Sequence, residues 1–308
     1  MRVLPTRISS LMNPCSGGRM IRGIRLFCML LALGTWPQVS QARNTLIWVL
    51  RDLPPTTIFE GPQKGRGVID QALPVLMASL PEYDHQIVHV NRARGMQMLR
   101  EQPFVCDPAL MFNLQRAQWI AFSITSFRVF SNGLAVRRKD RDGLQPFIHD
   151  GQIDLRALLA SAPHNVGVVA ERSYGEQIDS LLAQAPPGAL MAHYGNSAIG
   201  NLLQMQRHGR LKALIGYQPE IRFQAQQQGI DPNELEFYPI QGMPKYQSVN
   251  VGCSNTAQGR QAVERINRAL LELRPNTLLE LYAQWLEPSL REQYRSDALA
   301  FFHDAPQR

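Results

Sequence analysis

Cysteine is scarce in this sequence: Cys15, Cys28, Cys106 and Cys253 are all there is in 308 residues. No two are spaced C-x-x-C, which gives no footing to a zinc clip or a thioredoxin-type redox site. The signatures of the common enzymes are missing too. There is no GxSxG, no HExxH and no GxxxxGK[ST], so serine-hydrolase, zincin and P-loop chemistry have no sequence support. Gly195-Asn196-Ser197-Ala198-Ile199-Gly200 misses the nucleophile elbow by one residue. The seven histidines are scattered without metal-ligand spacing; His85 and His89 are four apart, but in a strand-like segment, and read as ordinary surface residues. No metal or other cofactor is expected. After residue 42 no apolar run approaches the ~20 residues a membrane span requires.

What the first 42 residues do have is the layout of an export signal. Arg22 and Arg25 form a basic start, Leu26 to Gly34 an apolar stretch, and Val39-Ser40-Gln41-Ala42 the small residues a signal peptidase prefers. Met20 would begin a signal of ordinary length, with residues 1–19 a basic extension. Cleavage near Ala42 is expected, giving a periplasmic or secreted protein. Five of the 32 basic residues and no acid lie in this segment, so the remainder carries 27 basic against 25 acidic residues, a net of +2. The apparent basicity therefore belongs mostly to the signal and is no argument for a nucleic-acid partner. Cys106 and Cys253 remain, a pair in an oxidising compartment, either bonded to each other or two separate buried thiols.

Along the rest of the chain strands and helices alternate. Leu46 to Leu50 is a short apolar run ending in the proline loop Arg51-Asp52-Leu53-Pro54-Pro55. Gly65 to Gly67 opens an amphipathic helix carrying Val68, Ile69, Leu73, Leu76, Met77 and Leu80. Strands follow at Ile87 to Val90 and Phe104 to Cys106, with a helix capped by Asn91 between them. This βαβαβ order predicts an α/β fold with parallel sheets. A second unit restates the theme: a long strand over Phe127 to Val136, a strand at Val166 to Val169, a helix opened by Ser173-Tyr174-Gly175, a helix over Ile199 to Met205, a strand at Ala213 to Ile215, a helix over Ile221 to Gln228 and a strand at Leu235 to Ile240. Val249 to Cys253 returns as a last strand before two core-packing helices.

The order of these pieces resembles the family 3 extracellular solute-binding proteins, which have the type II periplasmic binding fold. The resemblance spans roughly residues 45 to 290. Trp48 to Pro55, Gly65 to Asp70, Asn113 to Ser123 (similar to the family's T-x-E-R … F-S stretch), Val166 to Val169 with Ser173-Tyr174-Gly175, and Gln261 to Trp285 carry it. It implies two lobes, each a mostly parallel sheet flanked by helices, joined by two hinge strands near Phe127 to Ser131 and Ile240 to Tyr246. Lobe one would comprise residues 44–126 and 246–290, lobe two 127–245, and 291–308 would be a C-terminal tail. Cys106 and Cys253 would then share a lobe, which favours their disulfide. A subset of the family, mostly uncharacterised, also shows a Cys before the "eR … FS" segment and another before the last helices, and the chain looks closest to that subset.

The resemblance also implies site residues. Arg116 matches the arginine that grips a ligand carboxylate in amino-acid-binding relatives. Ser173, with Tyr174 and the N–H groups of the helix start, suits an anion. Trp48, Asp52 and Phe59 stand where the family places cleft walls, and Tyr217 where the second lobe offers its pocket. One departure bears on the ligand. Gly216 occupies the position of the acid that holds an α-ammonium, so an organic anion or a peptide-like or aromatic solute is as fitting as an amino acid. The expected protein is a monomer that binds a small molecule and hands it to a membrane permease or a sensor. The alternatives are a dehydratase-like periplasmic enzyme on the same scaffold, and a partner-binding module with a degenerate cleft.

Overall fold

The computed structural model describes residues 43–161, 166–195 and 197–304. The expected export signal lies outside the described residues. Strands are β1 Thr45–Leu50, β2 Asp84–His89, β3 Val105–Met111, β4 Ile120–Phe130, β5 Gly133–Arg137, β6 Ile148–His149, β7 Gln152–Ile153, β8 Val166–Val169, β9 Leu190–His193, β10 Ala213–Gly216, β11 Leu235–Pro239 and β12 Tyr246–Ser254. Helices are α1 Val68–Ala78, α2 Arg92–Glu101, α3 Leu155–Ala160, α4 Glu176–Ala183, α5 Ala198–Arg207, α6 Gln218–Gln227, α7 Ala257–Leu273, α8 Leu279–Ala283 and α9 Pro288–Asp304.

Two five-stranded sheets, one per lobe, organise the chain, in the orders β2-β1-β3-β12-β4 and β11-β5-β10-β8-β9. Each holds three parallel strands on one side, β2-β1-β3 and β10-β8-β9. β12 in the first sheet and β5 in the second run antiparallel to both of their neighbours, while the edge strands β4 and β11 run in the direction of the parallel set. The antiparallel pairs follow from the double crossing: a strand that re-enters a sheet from the other lobe arrives from the opposite end. The expected long strand over Phe127 to Val136 is split for the same reason. β4 ends at Phe130, β5 starts at Gly133, and Ser131 and Asn132 pass between the sheets. The return crossing lies beside it, with the Ser131 N–H donating to the Lys245 carbonyl at 3.0 Å. β9 was not expected. It is a half-exposed edge strand whose Leu-Met-Ala-His sequence shows neither a continuous apolar run nor clean alternation.

In the first sheet Leu46, Trp48, Leu50 and Val251 pack with Ile69, Leu73 and Leu76 of α1 and Ile266 of α7. Cys106 and Cys253 sit directly opposite each other on β3 and β12 and are joined by a disulfide. The glycine and aspartate that open α1 pin the proline loop in place. Asp70 Oδ2 accepts from the N–H of Ile58 at 2.8 Å and of Gly67 at 3.0 Å. A side chain at Gly67 would put its Cβ 2.6 Å from the Thr56 carbonyl oxygen, so only glycine allows that approach.

Residues beyond 290 are not a tail. Helix α9 extends to Asp304 and lays Tyr294, Ala298 and Phe302, one every fourth residue, against the first lobe. So narrow a stripe in a charged helix is a weak sequence signal. α9 also grips both crossings: the Tyr294 hydroxyl donates to the Arg128 carbonyl at 2.9 Å, and Asp297 Oδ2 accepts from Lys245 Nζ and the Tyr246 hydroxyl, each at 2.8 Å. Those bonds hold the Asp297 carboxyl down at about 2. A depressed carboxylate contributes stability above its unfolded value, and the contribution is lost as pH falls from about 4 toward that folded value of about 2. The pair is solvent-accessible, so Asp297→Asn is expected to remove no more than ~1 kcal/mol at pH 7. The gap between the variant and the parent in urea denaturation should close as the pH is lowered toward 2.

Candidate functional site

The ends of the parallel strands meet between the lobes, where ligands of open α/β sheets bind. Arg51 follows β1, Arg92 opens α2 just after β2, and Arg172 follows β8. Together with Asp52, Leu53, Pro54, Gly195, Ala198, Glu220 and Gln224 they line a cavity of about 50 Å³ drawn from both lobes. A water molecule needs roughly 10–15 Å³ on this measure, so the space suits a few heavy atoms. A wider groove of about 880 Å³ opens on the side of the crossings, lined by Met111, Phe112, Tyr174, Met243 and Gln247 among others, with Glu176 its only charged side chain. Three arginines line the first and none lines the second.

The arginines of the small cavity are in different states. Arg172 is closed off: its two guanidinium nitrogens donate to the Glu220 carboxylate at 2.9 and 2.7 Å, and its plane lies over the rings of Tyr174 and Tyr217. Burial opposes its charge, but Glu220 outweighs burial and holds Arg172 above its ordinary range. Arg51 is half engaged. Nη2 donates to the Ala109 carbonyl at 2.9 Å, while Nη1 lies 3.0 Å from Asp107 Oδ2 without hydrogen-bond alignment on either side. Arg92 and Arg116 make no side-chain hydrogen bond or ion pair among the described residues. Burial, reinforced by Arg51 and Arg172, pushes Arg92 down to about 9, with Asp107 opposing. Burial lowers Arg116 as well, again reinforced by Arg51, with Asp179 and Asp107 opposing.

The carboxylates nearby are engaged to different degrees. Glu220 is spent on Arg172, and Asp107 lies against Arg51 and accepts from the Ala109 N–H at 2.9 Å. Asp52 accepts from the Phe59 N–H at 3.1 Å, and burial pushes its carboxyl up. An acid at Gly216 would meet Ile221, whose side chain lies 3.1 Å from a Cβ built there. Among the described residues no cluster of His, Cys, Asp or Glu could hold a metal ion.

Of the residues singled out in the sequence, Asp52 lines the cavity and Arg116 stands unpaired within electrostatic reach of Arg92. The rest lie elsewhere. Trp48 is fully buried in the core of the first lobe, its indole N–H donating to His85 Nδ1 at 3.0 Å. His85 Nε2 points at the Leu80 carbonyl at 3.1 Å, so the ring is the neutral Nε2–H tautomer, a structural partner and not a plain surface residue. Phe59 stacks on His89 at 4.1 Å. Ser173 offers no vacancy to an anion: its hydroxyl donates to Asp179 Oδ2 at 2.5 Å, and the Tyr174 N–H donates to Asp179 Oδ1 at 2.8 Å. The chain's own carboxylate fills that position. Tyr174 is buried, its phenol pushed up to about 12 by burial, its oxygen accepting from the Val169 N–H at 2.7 Å. Tyr217 packs on the core of the first lobe and donates to Met111 Sδ at 3.0 Å. Sequence reading missed Arg51, Arg92 and Arg172. Their signal was position: each falls within three residues of the carboxyl end of a parallel strand.

Neither a protein-family model nor a curated protein matches the sequence. Solved structures do. A structure solved in connection with glutathione import via GshT and the cystine ABC importer TcyBC of Streptococcus mutans is 13% identical, covers 79% of this chain and 95% of its own, and superposes with a TM-score of 0.60. A histidine kinase sensor domain with similarity to periplasmic binding proteins is 13% identical over 79% of this chain and 96% of its own, TM-score 0.61. The ancestral amino acid-binding protein AncCDT-1, a precursor of cyclohexadienyl dehydratase, is 13% identical over 79% and 96%, TM-score 0.59. The chain has the two-lobed type II periplasmic binding fold.

Proposed function

We propose that this is an exported, non-enzymatic solute-binding protein that closes its two lobes on a small polar or anionic ligand and delivers it to a membrane permease or a sensor. The observation that carries the reading is the pair of unpartnered guanidinium groups, Arg92 and Arg116, at the junction of the lobes. Both are half-buried, and a partly desolvated charge without a partner is stabilised where a ligand supplies the counter-charge. The fold's neighbours include a structure tied to an ABC importer and a kinase sensor domain, which supports either destination. Export is supported by the layout of residues 1–42 and by the disulfide.

A thermal-shift screen of residues 43–308 against amino acids, organic acids, polyamines and short peptides tests it. A ligand at a hundred times its Kd adds ~2.7 kcal/mol, a plain rise in Tm. Arg116→Ala should weaken an anionic hit by ~1.5–3 kcal/mol. A broad panel with no hit, or an anionic hit indifferent to the substitution, speaks against the reading. One observation favours a second reading: Asp52, its carboxyl pushed up by burial, is a candidate general acid in the cavity. Consumption of the hit on incubation would select the enzyme.

A further inference from the structure

Helix α6 starts at the end of β10, beside the small cavity, and only part of it packs on its own lobe. Ile221 and Ala225 join the second lobe's core, and Glu220 and Gln224 line the cavity. Phe223 is different. It is 8% exposed, yet it lies outside the hydrophobic clusters that form the cores of the two lobes. Its aromatic neighbour is Trp285 of the first lobe, in the turn between α8 and α9, with the rings 6.0 Å apart and edge to face at 67°. Next to that pair, Arg222 Nη1 lies 2.9 Å from Glu287 Oε1, again across the lobes. Both ends of the helix touch the first lobe as well. Tyr217, at its N-cap, donates to Met111 Sδ at 3.0 Å, and the Gln227 side-chain oxygen lies 3.8 Å from a Cβ built at Gly61.

Building on the lobe closure proposed above, we infer that α6 is an interlobe clasp: Phe223 on Trp285 and Arg222 on Glu287 keep the free protein partly closed, from outside the ligand cavity. Rotation of the lobes away from this arrangement separates both pairs. It brings water to Phe223, and it parts two opposite charges whose side chains are already 34% and 38% exposed, so the ring outweighs the ion pair. It also releases Trp285 Nε1, buried here without a hydrogen-bond partner, to water. That gain opposes the clasp and keeps it reversible. None of the four side chains lines the small cavity. They are positioning residues, which act on affinity through the closed population and not by touching a ligand.

Small-angle X-ray scattering of residues 43–308, with no ligand added, tests this on the parent and three variants. Phe223→Ala should move the balance of closed and open forms toward open by about tenfold, read as a radius of gyration larger than the parent's. Arg222→Glu sets two carboxylates against each other and should move it the same way by about two- to fivefold. Arg222→Glu combined with Glu287→Arg restores opposite charges and should return the parent's radius, which damage to the fold of the second lobe would not do. Circular dichroism confirms that each variant is folded. Equal radii in all four proteins overturn the clasp and leave the solute-binding function standing. An expanded Arg222→Glu that the second substitution fails to restore overturns the pairing with Glu287. Expansion and restoration together with a blank ligand screen keep the clasp and remove the binding function.

Discussion

Glu220→Gln is expected to destabilise the protein by about 3–5 kcal/mol, the range for removing one partner of a buried ion pair. The Arg172–Glu220 pair is 4% and 7% exposed and bonded twice, at 2.9 and 2.7 Å. Glutamine keeps the shape and one acceptor, so the loss is electrostatic. It leaves the Arg172 charge with only the faces of Tyr174 and Tyr217 to stabilise it, about 5 Å away, and a desolvated contact of that kind supplies about 2 kcal/mol, less than the buried ion pair. Arg172 would then also repel Arg92 across the cavity without Glu220 to neutralise it. The measurement is urea denaturation followed by tryptophan fluorescence. A change below 1 kcal/mol would mean that the pair is solvated in solution and that the second lobe does not present the rigid wall described here.

Replacing both Cys106 and Cys253 by alanine should cost ~3–5 kcal/mol. The bonded residues are 147 apart in sequence, and a cross-link closing so long a loop removes a large part of the freedom of the unfolded chain. Alanine is the better replacement, since serine would bury two hydroxyls between β3 and β12 at positions with no solvent exposure. Burial also makes the bond inaccessible to a reductant in the native protein, so added dithiothreitol should act only in the unfolding transition. The double variant tested against the reduced and the oxidised parent separates the cross-link from the loss of sulfur packing. Equal midpoints for all three would show that the bond does not form in solution.

The fold was legible where burial on both faces made a continuous apolar run. Leu46 to Leu50 and Val166 to Val169 read as strands and are β1 and β8, and the core-packing helices expected after Val249 to Cys253 include α7. It was illegible where the structure is held by something other than a run. β9 is an edge strand with little to bury. The break at Ser131-Asn132 is dictated by the crossing between lobes, which no local pattern encodes. α9 has three buried residues among charges. The site followed the same division. Arg116 was singled out from its place in a familiar stretch, and it stands unpaired near Arg92. Trp48 sits on a strand near the cleft, yet a period of two sends its side chain into the core. Ser173 was placed correctly at a helix start, but Asp179, six residues on, takes its hydroxyl, and only the fold brings those two together. Arg51, Arg92 and Arg172 looked like ordinary loop charges until three strand ends from two sheets converged on one cavity.

Small-angle X-ray scattering of residues 43–308, with and without a saturating anion found in the thermal-shift screen, tests the central claim directly. Hinged closure about the two crossings predicts a smaller radius of gyration and a narrower distance distribution in the bound state, and both changes should be absent in Arg116→Ala at the same anion concentration. A bound protein with the dimensions of the free one would contradict an account in which the lobes close on the ligand.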